Sequence, residues 1–362
     1  MLRRLLDILA CPICGQPFEV SVYDQKRVRR EGTDFPGCVG HCEFLSQKIT
    51  SPGIQDKAHS HCIECYREEV IEGRLSCSNG HAFPIHRSIP RLQDVIVDQQ
   101  RTKQTFDVEW KVFKYNEKIY GHSEEEELLD FFHRMVVDES FLCDKTVLDG
   151  GCGMGRLTQS VGKFAKEIVG IDFSHGVDEA RLLNEEEPTV HIVQGDIMNL
   201  PFRPSSFDYV YSKGVLHYVA DVRGCIASLA SVVKPRGGAL SVTLYPKMSP
   251  FFEAFNRFLR IVTVRLPIKV VYWLSYLLTP FLSLAWRWSG LTRRDIDWDE
   301  RAHMIFNWLS SEFQNRASNR EVEAWFEELG FNNIRLSDTP VGITGIYSDC
   351  RLDKGTQEYA TS

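Results

Sequence analysis

The chain has 362 residues, of which 43% are hydrophobic and 25% are charged, and its formal net charge is −7. This composition excludes a disordered, collagen-like or coiled-coil chain and suits one large domain with a smaller one. The acidic balance also argues against a protein that binds nucleic acid phosphates over its whole surface.

Cysteines are concentrated at the start of the chain, where seven of the 11 fall within the first 77 residues. Such clustering indicates metal ligands rather than disulfides. The segment Ile8-Leu-Ala-Cys11 superficially resembles a lipoprotein cleavage box, but the apolar run before it is short and contains Asp7. No signal peptide is therefore predicted, and we expect a cytoplasmic protein.

Two ligand pairs in this segment predict a zinc site. Cys11-Pro-Ile-Cys14 and Cys77-Ser-Asn-Gly-His81 have the residue types and spacing of a closed, structural, tetrahedral centre. A second zinc is predicted from the four cysteines between these pairs, with His41 competing for one position: Cys38, Cys42, Cys62 and Cys65. The alternative is a loop with unligated thiols, which would be open to oxidation. Neither site leaves an open coordination position, so hydrolytic zinc chemistry is not expected.

Strand and helix patterns alternate from about Asp144 onward. Short apolar strands are predicted at 145–149, 168–172, 191–196, 207–212 and 238–245. A helix is predicted at 222–233, and this alternation indicates a parallel, doubly wound α/β sheet. The predicted domains are a zinc ribbon with an inserted Cys/His cluster (1–94), a helical linker and cap (95–143) and an α/β domain (144–350).

A glycine-rich turn follows the first of these strands and opens a helix, with the sequence Asp149-Gly-Gly151-Cys-Gly153-Met-Gly155. Such a turn lets the backbone approach a ligand, and the helix N-terminus offers free N–H groups. A dinucleotide fingerprint would need a glycine where Arg156 stands, so a pyrophosphate ligand is disfavoured. An ordinary tight turn is the alternative, but Asp172 and Asp196 at the ends of the next two strands favour a ligand site.

This arrangement resembles class I S-adenosylmethionine (SAM) dependent methyltransferases of the type 11 kind, over about residues 105–345. The resemblance implies a Rossmann-like seven-stranded sheet and a loop that holds the methionine half of SAM. It places Asp172 on the ribose hydroxyls and Asp196 beside the adenine, with Ile197 lining the ring. The other cofactor-binding residues it implies are Asp149, Gly151, Gly153, Gly155, Phe173 and Ser212.

The first segment resembles a different family. Residues 77–92 are similar to the small zinc-ribbon family that accompanies methyltransferases as an activator. The Cys-x3-His ending also resembles the zinc finger of bacterial ribosomal RNA guanine methyltransferases.

A basic and apolar insertion follows the fifth strand. Residues 247–294 contain eight Lys or Arg and one acid, Glu253. The uncharged run 270–286 is short for a membrane span and contains Pro280, so a transmembrane helix is not favoured. We expect a lid over the substrate that also contacts an anionic membrane surface. The alternatives are a buried helical subdomain with a solvated basic face, or an RNA-binding surface.

Methyl transfer from a sulfonium needs alignment more than catalytic side chains. His217, just past the fourth predicted strand, is the candidate general base, with Tyr218 and Lys213 as weaker candidates. The sequence therefore favours a SAM-dependent methyltransferase acting on a small-molecule or lipid-linked acceptor.

Two other functions stay open at this point. One is a ribosomal or transfer RNA base methyltransferase that uses the zinc ribbon to recognise RNA. Up to Asp94, however, the chain holds twelve basic and twelve acidic residues, so its first segment offers no strong field for phosphates. The other is a non-catalytic, zinc-bearing partner module that keeps SAM for stability, which the intact glycines disfavour.

Overall fold

A computed structural model describes the chain over ten ranges: 1–28, 41–42, 47–48, 53–54, 64–93, 100–112, 122–187, 189–289, 297–338 and 342–347. After a 3-10 helix at Arg3–Asp7, the first strands are β1 (Phe18–Arg27), β2 (His41–Cys42), β3 (Gln47–Lys48), β4 (Glu68–Cys77), β5 (Ala82–His86) and β6 (Ile89–Leu92). β1, β4, β5 and β6 form an antiparallel meander, while β2 and β3 pair only with each other.

The second part of the chain is the α/β domain. Its strands are β7 (Thr146–Gly150), β8 (Glu167–Asp172), β9 (Val190–Gly195), β10 (Tyr209–Ser212), β11 (Ala239–Thr243), β12 (Tyr245–Pro246), β13 (Arg316–Ala317), β14 (Asn333–Leu336) and β15 (Gly342–Ile346). Seven of them lie in the order β9-β8-β7-β10-β11-β15-β14. β7 to β11 are parallel and buried on both faces, as apolar runs in such a sheet require.

The described part of the chain contains ten α-helices around this sheet: α1 (Gln100–Val112), α2 (Glu124–Met135), α3 (Glu139–Leu142), α4 (Arg156–Gly162), α5 (Gly176–Leu183), α6 (Val222–Ser231), α7 (Pro250–Thr263), α8 (Ile268–Ser289), α9 (Trp298–Ser310) and α10 (Asn319–Glu328). Sequence signals fix several of their ends. Ser123 and Ser318 each form a capping box at the start of α2 and α10, and Asp221 caps α6.

The two parts share one sheet. β6 pairs in parallel with β9, with Arg91 opposite Gln194 and Leu92 opposite Gly195, so that eleven strands run without a break from β1 to β14. The hydrophobic core is also continuous across this junction, because buried residues of both parts belong to the same cluster. The first part is therefore built into the edge of the methyltransferase-like sheet rather than tethered beside it.

A buried polar network also crosses the junction. The carboxylate of Glu167, the first residue of β8, accepts hydrogen bonds from the Arg4 guanidinium at 3.1 Å and from the Tyr66 hydroxyl at 2.9 Å. Nε2 of His191 lies 2.8 Å from the same carboxylate, and Arg4 also donates to Asp7. Arg4 and its partners hold the pKa of Glu167 at about 2, against the opposing effect of burial.

The predicted α/β fold with a seven-stranded sheet is confirmed. The predicted strands agree with β7 to β11 to within about two residues. The basic insertion forms α7 and α8, while residues 290–296 at its end lie outside the described part. Pro280 does not end α8, which continues on both sides of it. Among the described residues, no helix is both long and apolar enough to cross a membrane.

Candidate active site and metal centre

The glycine turn joins β7 to α4 at the carboxyl end of the parallel sheet. Gly151 has φ of +93°, and a Cβ there would lie 2.4 Å from Val215. Gly155 has φ of +75° and forms the N-cap of α4. Both positions thus need glycine for conformation and also for space, because a Cβ on Gly155 would lie 2.7 Å from the Cβ of Ala180. The turn lies where the chain changes direction in the sheet, which is the usual ligand position in such folds.

Asp172 lies at the end of β8, beside this turn. Its carboxylate accepts hydrogen bonds from the backbone N–H of Gly153 at 3.0 Å, from the N–H of Ser174 at 2.8 Å and from the Ser174 hydroxyl at 2.6 Å. Burial nevertheless raises its pKa. These donors fix the orientation of the carboxylate and leave oxygen lone pairs for a ligand diol.

Asp196 follows β9 in the same row of strand ends. It accepts a hydrogen bond from the N–H of Met198 at 2.8 Å, and burial raises its pKa. Ile197 next to it is buried. The acid and the apolar side chain therefore stand side by side, as a purine ring and its amino group would require.

A small cavity lies between these strand ends. Its lining residues are Thr102, Phe106, Gly151, Asp172, Phe173, Gly195, Asp196, Ile197, Val215, Tyr218 and Val219. Five of the residues predicted to bind the cofactor thus line one cavity, where two carboxylates stand among mostly apolar or aromatic side chains.

The cavity is covered by α1, whose residues the sequence analysis did not select. Thr102 and Phe106 line the cavity, and Trp110 packs on the glycine turn so closely that a Cβ on Gly153 would lie 2.8 Å from its ring. These three residues recur every four positions, which puts them on one face of the helix. Phe106 also contacts the Tyr218 ring, with centroids 5.3 Å apart. The spacing of these residues at i, i+4 and i+8 is the sequence signal that could have identified them.

The other predicted cofactor residues frame the turn instead of lining the cavity. Asp149 is buried and accepts a hydrogen bond from the Thr158 hydroxyl at 2.7 Å. Burial, with smaller contributions from the carboxylates of Asp172 and Glu127, raises its pKa to about 7. Ser212 donates to the Gly150 carbonyl at 2.7 Å. Their direct contact with a cofactor stays a prediction.

His217, the candidate base, lies behind the cavity wall. Its ring is buried and stacks on Tyr245 with centroids 3.6 Å apart. Burial, with a contribution from Arg316, lowers its pKa to about 3, so the imidazole is neutral and weakly basic at physiological pH. Tyr218, not His217, faces the cavity, and Lys213 forms an ion pair with Asp130 at 3.1 Å.

The first predicted zinc ligands come together from distant parts of the chain. The four ligand atoms of Cys11, Cys14, Cys77 and His81 lie within 4.8 Å of one another. Sγ of Cys14 is 3.7 Å from Sγ of Cys77, and the His81 Nδ1 is 3.6 Å from Sγ of Cys11 and 3.4 Å from Sγ of Cys77. A tetrahedron with Zn–S bonds of about 2.3 Å has S···S edges of about 3.8 Å. The donor set and its size therefore fit zinc.

The second predicted cluster is only partly described. Cys38 and Cys62 lie outside the described residues, as does the side chain of His41. Cys42 and Cys65 are buried. This second site stays a prediction.

Two known protein families match separate parts of the chain. Residues 148–241 match the family described as a methyltransferase domain, and residues 3–88 match the family described as Trm112p-like protein.

Individual relatives are distant. A demethylmenaquinone methyltransferase of Staphylococcus aureus is 26% identical over 219 residues, which cover 59% of this chain and 79% of that protein. A chain from the solved complex between the Haloferax volcanii Trm112 methyltransferase activator and the putative methyltransferase is 15% identical, with a TM-score of 0.39, and the match covers 70% of this chain and 100% of that one. The structure of a putative methyltransferase from Bacillus halodurans is 17% identical, with a TM-score of 0.36, and the match covers 58% of this chain and 71% of that one.

The family matches and the cavity at the glycine turn agree on one class of enzyme. The chain combines a Trm112p-like domain with a methyltransferase domain, and it is a SAM-dependent methyltransferase.

Proposed function

We propose that this enzyme transfers the methyl group of SAM to a small, apolar acceptor that is carried on a lipid. The cavity at the glycine turn carries the proposal, because its carboxylates suit the cofactor and the rest of its wall is apolar or aromatic. Bound SAM supplies an electrophilic methyl carbon. The protein's own task is to bind, to orient and to exclude water.

On the cofactor side, Asp172 would accept hydrogen bonds from the ribose hydroxyls, since its carboxylate is already held in one orientation. Asp196 and Ile197 would hold the adenine. The backbone N–H groups of the turn would face the methionine half, with Gly153 and Gly155 keeping the backbone close. Phe173 would pack against the nucleoside.

On the acceptor side, Phe106, Val215 and Tyr218 form the apolar part of the wall. An apolar ring fits such a surface, whereas a phosphate-rich polymer would need cations there. A relative named for demethylmenaquinone supports a small-molecule acceptor. The same proposal places the enzyme in the cytoplasm at a membrane surface, where segment 247–294 touches the lipid.

The cofactor assignment is tested by calorimetric titration of the zinc-loaded protein with SAM. We expect Asp172→Ala to weaken binding at least about a hundredfold, because two charge-assisted hydrogen bonds are lost. The control is Asp24→Ala, at an exposed acid in β1. Equal SAM affinity in all three proteins would contradict the assignment.

The acceptor class is tested by methyl transfer from labelled SAM to a lipid extract and, separately, to total RNA. The proposal expects label in the lipid fraction. Label in RNA alone would favour the second candidate function, an RNA base methyltransferase. The Trm112p-like domain is the observation that supports this second candidate.

For His217 we propose a positioning role in place of the predicted base role, since a pKa of about 3 makes it a poor proton acceptor. His217→Asn is expected to lower kcat less than about tenfold and to leave the pH profile unchanged, whereas loss of a true general base costs about a hundredfold or more. If His217→Asn lost an ionisation from the pH profile of kcat/KM, that result would support His217 as the general base.

We propose that the zinc held by Cys11, Cys14, Cys77 and His81 is structural, because four protein ligands close its coordination. A second zinc on Cys38, Cys42, Cys62 and Cys65 belongs to the same proposal. A metal content of two zinc ions per chain would support it.

A further inference from the structure

Helix α7 has its apolar side outward. The exposed large side chains on this helix are Phe251, Phe255, Phe258, Ile261 and Val262. The buried ones include polar groups, namely Asn256, Arg260 and Thr263. A helix on the surface of a water-soluble protein normally shows the opposite distribution.

Helix α8 repeats this inversion. Val270, Trp273, Leu277 and Phe281 recur every three or four residues, which places them on one stripe, and all are exposed, Trp273 and Phe281 to 70%. Ser275 and Thr279 on other faces are completely buried. Each hydroxyl donates to a carbonyl of its own helix, as it would where no water is available.

The inward faces are occupied by α9 and the segment after it. The Asn256 side chain accepts a hydrogen bond from the Trp308 indole at 2.9 Å, and Arg260 donates to the Trp308 carbonyl at 2.8 Å. On α8, Val271 packs with Ile305 and Phe306. The apolar stripes therefore point away from α9, and the protein's own packing on α9 does not cover them.

The charge on these outward faces has a single sign. Arg257, Arg265 and Lys269 are exposed, and the described part of 250–283 has no exposed acid. Its one carboxylate, Glu253, is half-buried and forms an ion pair with Arg316 at 3.2 Å. A second copy of this chain would bring like charges together, so the pattern favours an apolar partner with negative charge at its surface.

The same helices lie next to the cavity. The Arg316 guanidinium lies over the ring of Phe252 in α7 and over the ring of Tyr245, at 5.6 and 5.4 Å. The Tyr245 hydroxyl is 3.0 Å from that of Tyr218, which lines the cavity. The outward face of α7 is thus separated from the acceptor wall by a short series of side-chain contacts.

From these observations we infer that the outward faces of α7 and α8 dock on an anionic lipid bilayer, with the phenylalanines, Trp273 and Leu277 entering the interface and the three cations pairing with lipid phosphates. We expect α7 and the first half of α8 to bind the bilayer first. Further along α8, the Tyr276 hydroxyl donates a hydrogen bond to Asp299 at the acidic start of α9, and this negative charge disfavours contact with anionic lipid. This inference deepens the proposed function, since it names the lipid surface that presents the acceptor.

The test is co-sedimentation of the full chain with vesicles of phosphatidylcholine and phosphatidylglycerol, two to one, without cofactor or acceptor. Leu277→Glu is compared with Leu129→Glu in α2, because both leucines are 67% exposed on helices. We expect Leu277→Glu to weaken binding about tenfold or more, from the loss of one buried leucine. Leu129→Glu should bind as the unaltered protein does.

A second variant, Arg257→Gln with Arg265→Gln and Lys269→Gln, should weaken binding to these vesicles about fivefold for each charge removed, from about 1 kcal/mol each at low salt. It should leave binding to pure phosphatidylcholine unchanged. SAM affinity is measured in every variant and should not change, which separates failed docking from a failed cofactor assignment.

Three results would overturn the inference. They are no sedimentation with anionic vesicles, equal losses in Leu277→Glu and Leu129→Glu, or self-association of the protein that Leu277→Glu abolishes in sedimentation velocity.

Discussion

Cys77→Ser is expected to remove the zinc and to unfold the Trm112p-like domain together with its edge of the sheet. Cys77 ends β4, pairs with Phe18 of β1 and is one of the four proposed zinc ligands. Structural zinc contributes about 10–16 kcal/mol of apparent binding free energy in small domains, and most of it is lost with one ligand. We expect less than one zinc at this site and a lower melting temperature, measured by elemental analysis and calorimetry.

The control for this variant is Cys143→Ser, at an exposed cysteine far along the chain from the cluster. It should keep its zinc and its melting temperature. A Cys77→Ser protein with full zinc content and unchanged stability would show that these four residues do not form the site. Since β6 pairs with β9, the SAM affinity of Cys77→Ser is also expected to fall.

Arg4→Met should lower the free energy of unfolding by about 3–5 kcal/mol, the usual cost of removing one partner of a buried ion pair. Arg4 reaches Glu167 across the junction, and both side chains are almost fully buried. The variant leaves the Glu167 carboxylate with Tyr66 and His191 alone. Urea unfolding at neutral pH measures the effect.

The pH dependence of this effect has a defined sign. The pKa of Glu167 is about 2 in the folded protein, against its ordinary value of 4.5, so ionisation stabilises the fold above pH 4.5, and this contribution is lost as pH falls towards 2. In Arg4→Met the pKa of Glu167 rises, so the loss of stability begins at a higher pH. The double variant Arg4→Met with Glu167→Gln should be more stable than Arg4→Met, and a less stable double variant would contradict the account.

The sequence predicted the parallel sheet because apolar runs such as β7 and β8, buried on both faces, leave a strong local pattern. It also predicted the glycine turn and the acids at the next strand ends, since strand order along the chain puts carboxyl ends at one edge of the sheet. Asp172 and Asp196 indeed line one cavity.

Several features that depend on contacts between distant segments were not predicted. Nothing in the local sequence marks β6 as a partner of β9, because pairing register depends on how two folded units meet. For the same reason Phe106 and Trp110 could not be placed over the cofactor turn. The neutral state of His217 also follows from burial, which no spacing reveals.

The sequence by itself determined the class of the enzyme and its glycine turn, because each rests on short local patterns, and it predicted the first set of metal ligands from two short ligand pairs whose donor atoms the fold brings together. Only the tertiary structure decided that the Trm112p-like domain extends the catalytic sheet, that α1 closes the cavity, and that α7 and α8 turn their apolar sides outward. These depend on which surfaces become buried against each other, and burial is a property of the whole fold.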